Sequence, residues 1–115
     1  MNKIDGKIAI VTGGTQGLGA AIARHFANVG TKGLVICGRN KKNGEHVAQS
    51  ITNETGIKVI FVKTDLARID QVQKIVPLTK EIFGTVDILV NAAGLTDRGN
   101  LLNTSVALYD RIFAV

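Results

Sequence analysis

Apolar blocks and amphipathic stretches alternate regularly along this 115-residue chain. Residues 7–12 contain the unbroken apolar run Ile8-Ala9-Ile10-Val11, the mark of a strand covered on both faces. From residue 17 to about 29 the spacing turns helical: Ile22, Phe26 and Val29 share one face, Arg24 and Asn28 fall elsewhere, and Gly30 supplies the stop. Leu34-Val35-Ile36-Cys37-Gly38 reads as a second buried strand. Residues 41–55 read as a helix with Val47, Ala48 and Ile51 inward and Gly56 at its end. Val59-Ile60-Phe61-Val62 is a third strand, residues 69–83 a third helix closed by Gly84, and residues 86–90 a fourth strand. A last helix is expected to begin at Thr104 or Ser105, either of which suits a cap.

The order β-α-β-α-β-α-β-α with short connections predicts right-handed crossovers and one domain over residues 1–115. The fold class is α/β: a doubly wound parallel sheet in a Rossmann-like three-layer sandwich. Its expected core holds Ile10, Ile36, Ile60 and Leu89 in the sheet, with Ile22, Phe26 and Ile51 packed onto it. Pro77, the only proline, conflicts locally with this pattern, because inside a helix it removes a donor and clashes with the preceding turn. The third helix must therefore kink or break into two pieces.

Chemistry enters with Thr12-Gly13-Gly14-Thr15-Gln16-Gly17-Leu18-Gly19, directly after the first strand. Glycines at this spacing let the backbone turn sharply and approach a ligand closely, and the following helix then aims its unpaired N–H groups at a diphosphate. No lysine follows Gly17 or Gly19, so this is not the phosphate loop of an ATP- or GTP-hydrolysing enzyme. In an open parallel sheet, ligands bind beyond the carboxyl ends of the strands. Those ends carry the glycine loop, Gly38-Arg39-Asn40, Thr64-Asp65-Leu66 and Asn91-Ala92-Ala93-Gly94. Asp65 suits an adenine amine, or alternatively a cap on the next helix. Residues 92–94 are small enough to leave room for a ring or ribose, and Asn91 either braces its neighbours or touches the ligand.

Composition narrows the field further. Hydrophobic residues at 45% and charged residues at 20% describe a globular chain, and no apolar run is long enough to span a bilayer. The net charge of +5 comes from scattered residues, and aromatics are only 4%, so nucleic acid is not the expected partner. The single cysteine, Cys37, excludes an internal disulfide and fits a cytoplasmic location. His25 and His46 have no ligand cluster at metal spacing, and no metal is expected.

On these motifs the chain resembles the short-chain dehydrogenase/reductase family. The pattern T-G-x-x-x-G-x-G is matched by Thr12, Gly13, Gly17 and Gly19, the motif N-[N/A]-A-G by Asn91, Ala92, Ala93 and Gly94, and the Asp-Leu pair by Asp65 and Leu66. The resemblance implies strand order 3-2-1-4 and a nicotinamide cofactor held by Gly13, Thr15, Gln16, Gly17, Leu18, Gly19, Arg39, Asn40, Asp65, Leu66, Asn91, Ala92, Ala93 and Gly94. It implies interconversion of an alcohol and a carbonyl by hydride transfer, and a homo-oligomer. Members of the family use a serine, a Y-x-x-x-K pair and a fourth-helix asparagine. Here the only tyrosine, Tyr109, is followed four residues on by Phe113. These residues are thus expected to be the cofactor-binding portion, truncated before the fifth strand and inactive alone. The outer edge of the fourth strand should be open, and the inner face Leu108, Ile112 and Val115 should need cover.

Arg39 sets the cofactor preference. Enzymes selecting NAD(H) place an acid after the second strand, where it holds the ribose hydroxyls. Here Gly38-Arg39-Asn40 has none, and a guanidinium pairs a 2′-phosphate bidentately, so NADP(H) is expected over NAD(H). Gln16 stands where many NADP-preferring relatives carry a basic residue. Two other readings stay open: a non-catalytic dinucleotide-binding module or truncated paralogue, and a methyltransferase-like domain, against which Arg39 argues.

Overall fold

A computed structural model of the chain describes residues 4–13, 17–65, 69–92 and 105–108. Strand β1 (Ile8–Thr12) is buried at every position, because it lies between β2 (Gly33–Gly38) and β4 (Ile88–Asn91), both parallel to it. Strand β3 (Lys58–Lys63) flanks β2 in parallel, and the four strands run in the order β3-β2-β1-β4. The parallel pairing is what the alternation of blocks predicts, and the order is the one that the family resemblance implies. β3 is only half-buried along its middle, and Ile60 and Leu89, expected in the core, are likewise half-buried.

Side chains leave the sheet alternately toward two layers. Ala9, Val11, Leu34, Ile36, Ile88 and Val90 face helices α1 (Gly17–Asn28) and α2 (Lys41–Thr55). Ile10, Val35 and Cys37 face Ile75 of the other layer. Burial on both faces is the reason these strands read as continuous apolar runs. The inner face of α1 differs from the expected one. Its buried residues are Gly19, Ala20, Ala23 and Ala27, while Ile22 and Phe26 pack half-buried beside them. Small residues bring the α1 backbone close to the sheet, and the larger ones fill the flanks.

The helix interrupted by Pro77 consists of two pieces, α3 (Ile69–Val72) and α4 (Ile75–Phe83). Pro77 occupies the third position of α4, in the first turn, where a missing N–H costs no helical bond. Gly56 and Gly84 end α2 and α4 in the left-handed region, at φ 77° and 88°, and donate their N–H groups to Thr52 and Lys80 carbonyls.

One expectation is overturned at residues 105–108. The helix predicted to start at Thr104 or Ser105 is absent there, and Ser105–Leu108 forms strand β5, antiparallel to β4. The register sets Ile88 against Leu108 and Asn91 against Ser105. The outer edge of β4 is therefore paired, contrary to the open edge expected. A bare edge leaves N–H and C=O groups unsatisfied, and pairing with Ser-Val-Ala-Leu removes that cost.

Candidate functional site

The parallel register brings the carboxyl ends of all four strands to one side of the sheet. Thr12 is level with Cys37 and Asn91, and Gly38 is level with Lys63. Backbone bonds continue past the strand ends: Gly13 N–H donates to Cys37 O at 2.9 Å, Thr64 N–H to Gly38 O at 2.7 Å, and Ala92 N–H to Thr12 O at 3.1 Å. Glycine loop, Arg39, Asp65 and Asn91 thus leave the sheet side by side.

Gly13 turns the chain out of β1 at φ 73°, and Gly17 opens α1 at φ 55°. A Cβ on Gly17 would meet nothing within 4 Å, so its glycine is required by conformation and not by crowding inside the protein. The first turn of α1 holds no acidic residue, so the positive end of the helix dipole is not offset from within its own turn. Leu18 is half-buried beside it and Gly19 is buried. Gly14, Thr15, Gln16, Leu66, Ala93 and Gly94 lie outside the described residues, as does Tyr109.

Thr12 has the bracing role that its position suggests. Its buried hydroxyl lies 3.2 Å from Val90 O and 3.1 Å from Asn91 Oδ1, and its one proton serves either acceptor. Asn91 thereby braces β1 against β4, while its side chain remains exposed at the strand end; Ala92 is fully buried. Asn40 Oδ1 accepts from Asn43 N–H at 3.0 Å and caps α2. Arg39, immediately before it, is exposed.

An open cleft of about 690 Å³ lies beyond β2 and β3, lined by Arg39, Lys63, Thr64, Asp65, Gln71 and Lys74 with apolar Val62, Ile75 and Leu78. Sequence patterning brings Arg39 and Asp65 to this place but misses Lys63, Gln71 and Lys74. Gln71 lies on α3 and Lys74 in the turn before α4, and both line the cleft. Asp65 N–H donates to Gln71 Oε1 at 2.6 Å. Among the described residues that line it, the cleft combines three cations with one acid, a balance that favours an anionic ligand.

Cys37 is fully buried beneath this edge, and burial pushes its thiol up to about 12 from 9.0, against a smaller opposing effect of the Thr64 hydrogen bond. It is a core residue and not a nucleophile at neutral pH. His25 and His46 are exposed, and among the described residues no group of three His, Cys, Asp or Glu side chains is arranged to hold a metal. No helix among them is long and apolar enough to cross a membrane.

Residues 7–115 match the sequence profile of the short chain dehydrogenase family. The chain is 39% identical over 112 residues to an uncharacterised oxidoreductase of Thermotoga maritima, covering 97% of this chain and 43% of that protein. It is 37% identical over 113 residues to versicolorin reductase 1 of Dothistroma septosporum, covering 98% and 43% respectively. Among solved structures, L-sorbose reductase of Gluconobacter frateurii, complexed with NADPH and L-sorbose, superposes with a TM-score of 0.71 at 35% identity, over 75% of this chain and 32% of that one. A short chain dehydrogenase/reductase of Burkholderia phymatum in complex with NAD gives a TM-score of 0.71 at 32% identity, over 77% and 31%. The chain thus spans less than half the length of these relatives.

Proposed function

The chain belongs to the short-chain dehydrogenase/reductase family, and we propose that it forms the cofactor-binding portion of an NADP(H)-preferring oxidoreductase interconverting an alcohol and a carbonyl. The observation that carries this reading is the alignment of four strand ends, which sets Gly13, Arg39, Asp65 and Asn91 along one edge. A dinucleotide is an extended anion, and this edge offers successive places for its parts.

The residues present fit such a cofactor. The glycine loop, with Gly13, Thr15, Gln16, Gly17, Leu18 and Gly19, would hold the diphosphate at the acid-free first turn of α1. Arg39 and Asn40 follow β2, where an acid selecting NAD(H) would stand; the Arg39 guanidinium would pair the 2′-phosphate. Lys63 and Lys74 line the same cleft and add to its positive field. Asp65 and Leu66 would flank the adenine, and Asn91, Ala92, Ala93 and Gly94 the nicotinamide half. The bound cofactor supplies or accepts the hydride, and these residues orient it.

Catalysis belongs to residues beyond those just named, since Tyr109 lacks a lysine four positions on. We therefore assign this chain binding and no turnover of its own. A cytoplasmic location, which the single buried Cys37 suits, and assembly of the whole protein as a homo-oligomer belong to the same proposal. Calorimetric titration with NADPH, NADH and S-adenosylmethionine tests it. Binding of NADPH tighter than NADH, with no heat from S-adenosylmethionine, is the expected result; binding of S-adenosylmethionine alone would overturn it.

A further inference from the structure

Residue Thr64 makes the last rung of the β2–β3 ladder, its N–H bonded to Gly38 O at 2.7 Å. Asp65 is the next residue, two beyond the end of β3 at Lys63. Its N–H is taken by the side chain of Gln71, whose Oε1 lies 2.6 Å away. A contact that short with an N–H donor requires the carboxamide oxygen on that side, which fixes the amide's orientation.

Gln71 sits on α3, a helix of only four residues, separated from α4 by the turn that precedes Ile75. Both Gln71 and Asp65 line the cleft beside Arg39. The side chain of a single helical turn therefore clamps the backbone at the point where the chain leaves the sheet. The direction of the Asp65 carboxylate depends on that backbone.

We propose that Gln71 is a positioning residue for base recognition: by holding the Asp65 backbone, it aims the Asp65 carboxylate at the exocyclic amine of adenine. This rests on the reading of Asp65 as the adenine contact. Gln71 acts through Asp65, so its loss should blunt discrimination between bases more than affinity for ribose and phosphate. A carboxylate accepts from the amine of adenine but is mismatched with the carbonyl oxygen of hypoxanthine. Adenosine monophosphate and inosine monophosphate differ at that group and so report on the contact.

The test is the ratio of the two nucleotides' dissociation constants in the wild type and in Gln71→Leu, Gln71→Asn, Gln71→Glu and Asp65→Ala. The wild type should prefer adenosine monophosphate. Gln71→Leu, which keeps the bulk and loses the acceptor, should reduce the preference by about threefold to tenfold. Gln71→Asn, too short to reach, should match it, covering the case in which Gln71→Leu does not fold. Gln71→Glu retains an acceptor and should restore the preference. In an Asp65→Ala background, Gln71→Leu should change nothing further. An unchanged ratio in folded Gln71→Leu or Gln71→Asn, with both nucleotides weakened equally, would reduce Gln71 to a structural residue and overturn the proposal. If the wild type shows no preference, or Asp65→Ala leaves it intact, the reading of Asp65 itself fails and this inference falls with it.

Discussion

Thr12 and Asn91 meet as register partners across the β1–β4 seam, with the Thr12 hydroxyl 3.1 Å from Asn91 Oδ1 although 79 residues separate them. The contact joins the strand leading into the glycine loop to the strand leading into the Asn91-Ala92-Ala93-Gly94 segment. Thr12→Val keeps the shape and removes the hydroxyl, so it should cost about 0.5–1.5 kcal/mol in urea unfolding. Asn91→Ala should cost less in the Thr12→Val background than in the wild type; additive losses would mean that the pair is not coupled.

Gly44 of α2 lies against the ring of Phe61 on β3, so closely that a Cβ at 44 would overlap ring carbons. In an open helix, Gly→Ala stabilises by about 0.5–1 kcal/mol. Here the ring must move, and Gly44→Ala should instead destabilise by about 1–3 kcal/mol. The sign of the change decides the matter. Adding Phe61→Leu should recover part of the loss.

Gly56 ends α2 at φ 77° with open space around it. Any cost of a side chain there is conformational. Gly56→Ala should lower stability by about 1 kcal/mol, and Gly56→Asn by less, since asparagine tolerates the left-handed region. Equal losses in thermal melts would point to packing.

Cys37 gives the fold a pH dependence in alkali. Its folded pKa of about 12 lies above the ordinary 9.0, so the folded state binds the proton more tightly. The stabilisation is full below pH 9, where both states keep the proton, and is lost as pH rises from 9 toward 12. In that window the thiol's contribution should fall by about 1.4 kcal/mol per pH unit. Relative to Cys37→Ala, the wild type should therefore lose stability between about pH 8 and about pH 10.5; parallel curves would show that the thiol does not titrate on unfolding.

Strands β1 and β2 and the ends of α2 were legible because burial on both faces writes continuous apolar runs and Gly56 marks a stop, whereas the strand order rested on the family resemblance. Pro77 announced a break without saying which of two outcomes would follow; its tolerance in a helical first turn resolved it. Other features depend on tertiary context. The alanine face of α1 packs tightly because the sheet is close, and β5 replaces an expected helix because the β4 edge takes a partner. At the site, Arg39 and Asp65 follow strands and Asn91 ends one, so all three could be placed by counting. Gln71 and Lys74 also line the cleft, and no periodicity in the sequence marks them for it.

We propose that Arg39 sets the cofactor preference of the dinucleotide site. The most direct measurement is the ratio of NADH to NADPH dissociation constants in the wild type and in Arg39→Ala. A charge-assisted bond contributes about 1.5–3 kcal/mol, so Arg39→Ala should weaken NADPH by roughly tenfold or more while leaving NADH nearly unchanged. A ratio that does not move would contradict the account and leave Arg39 as a solvated surface residue.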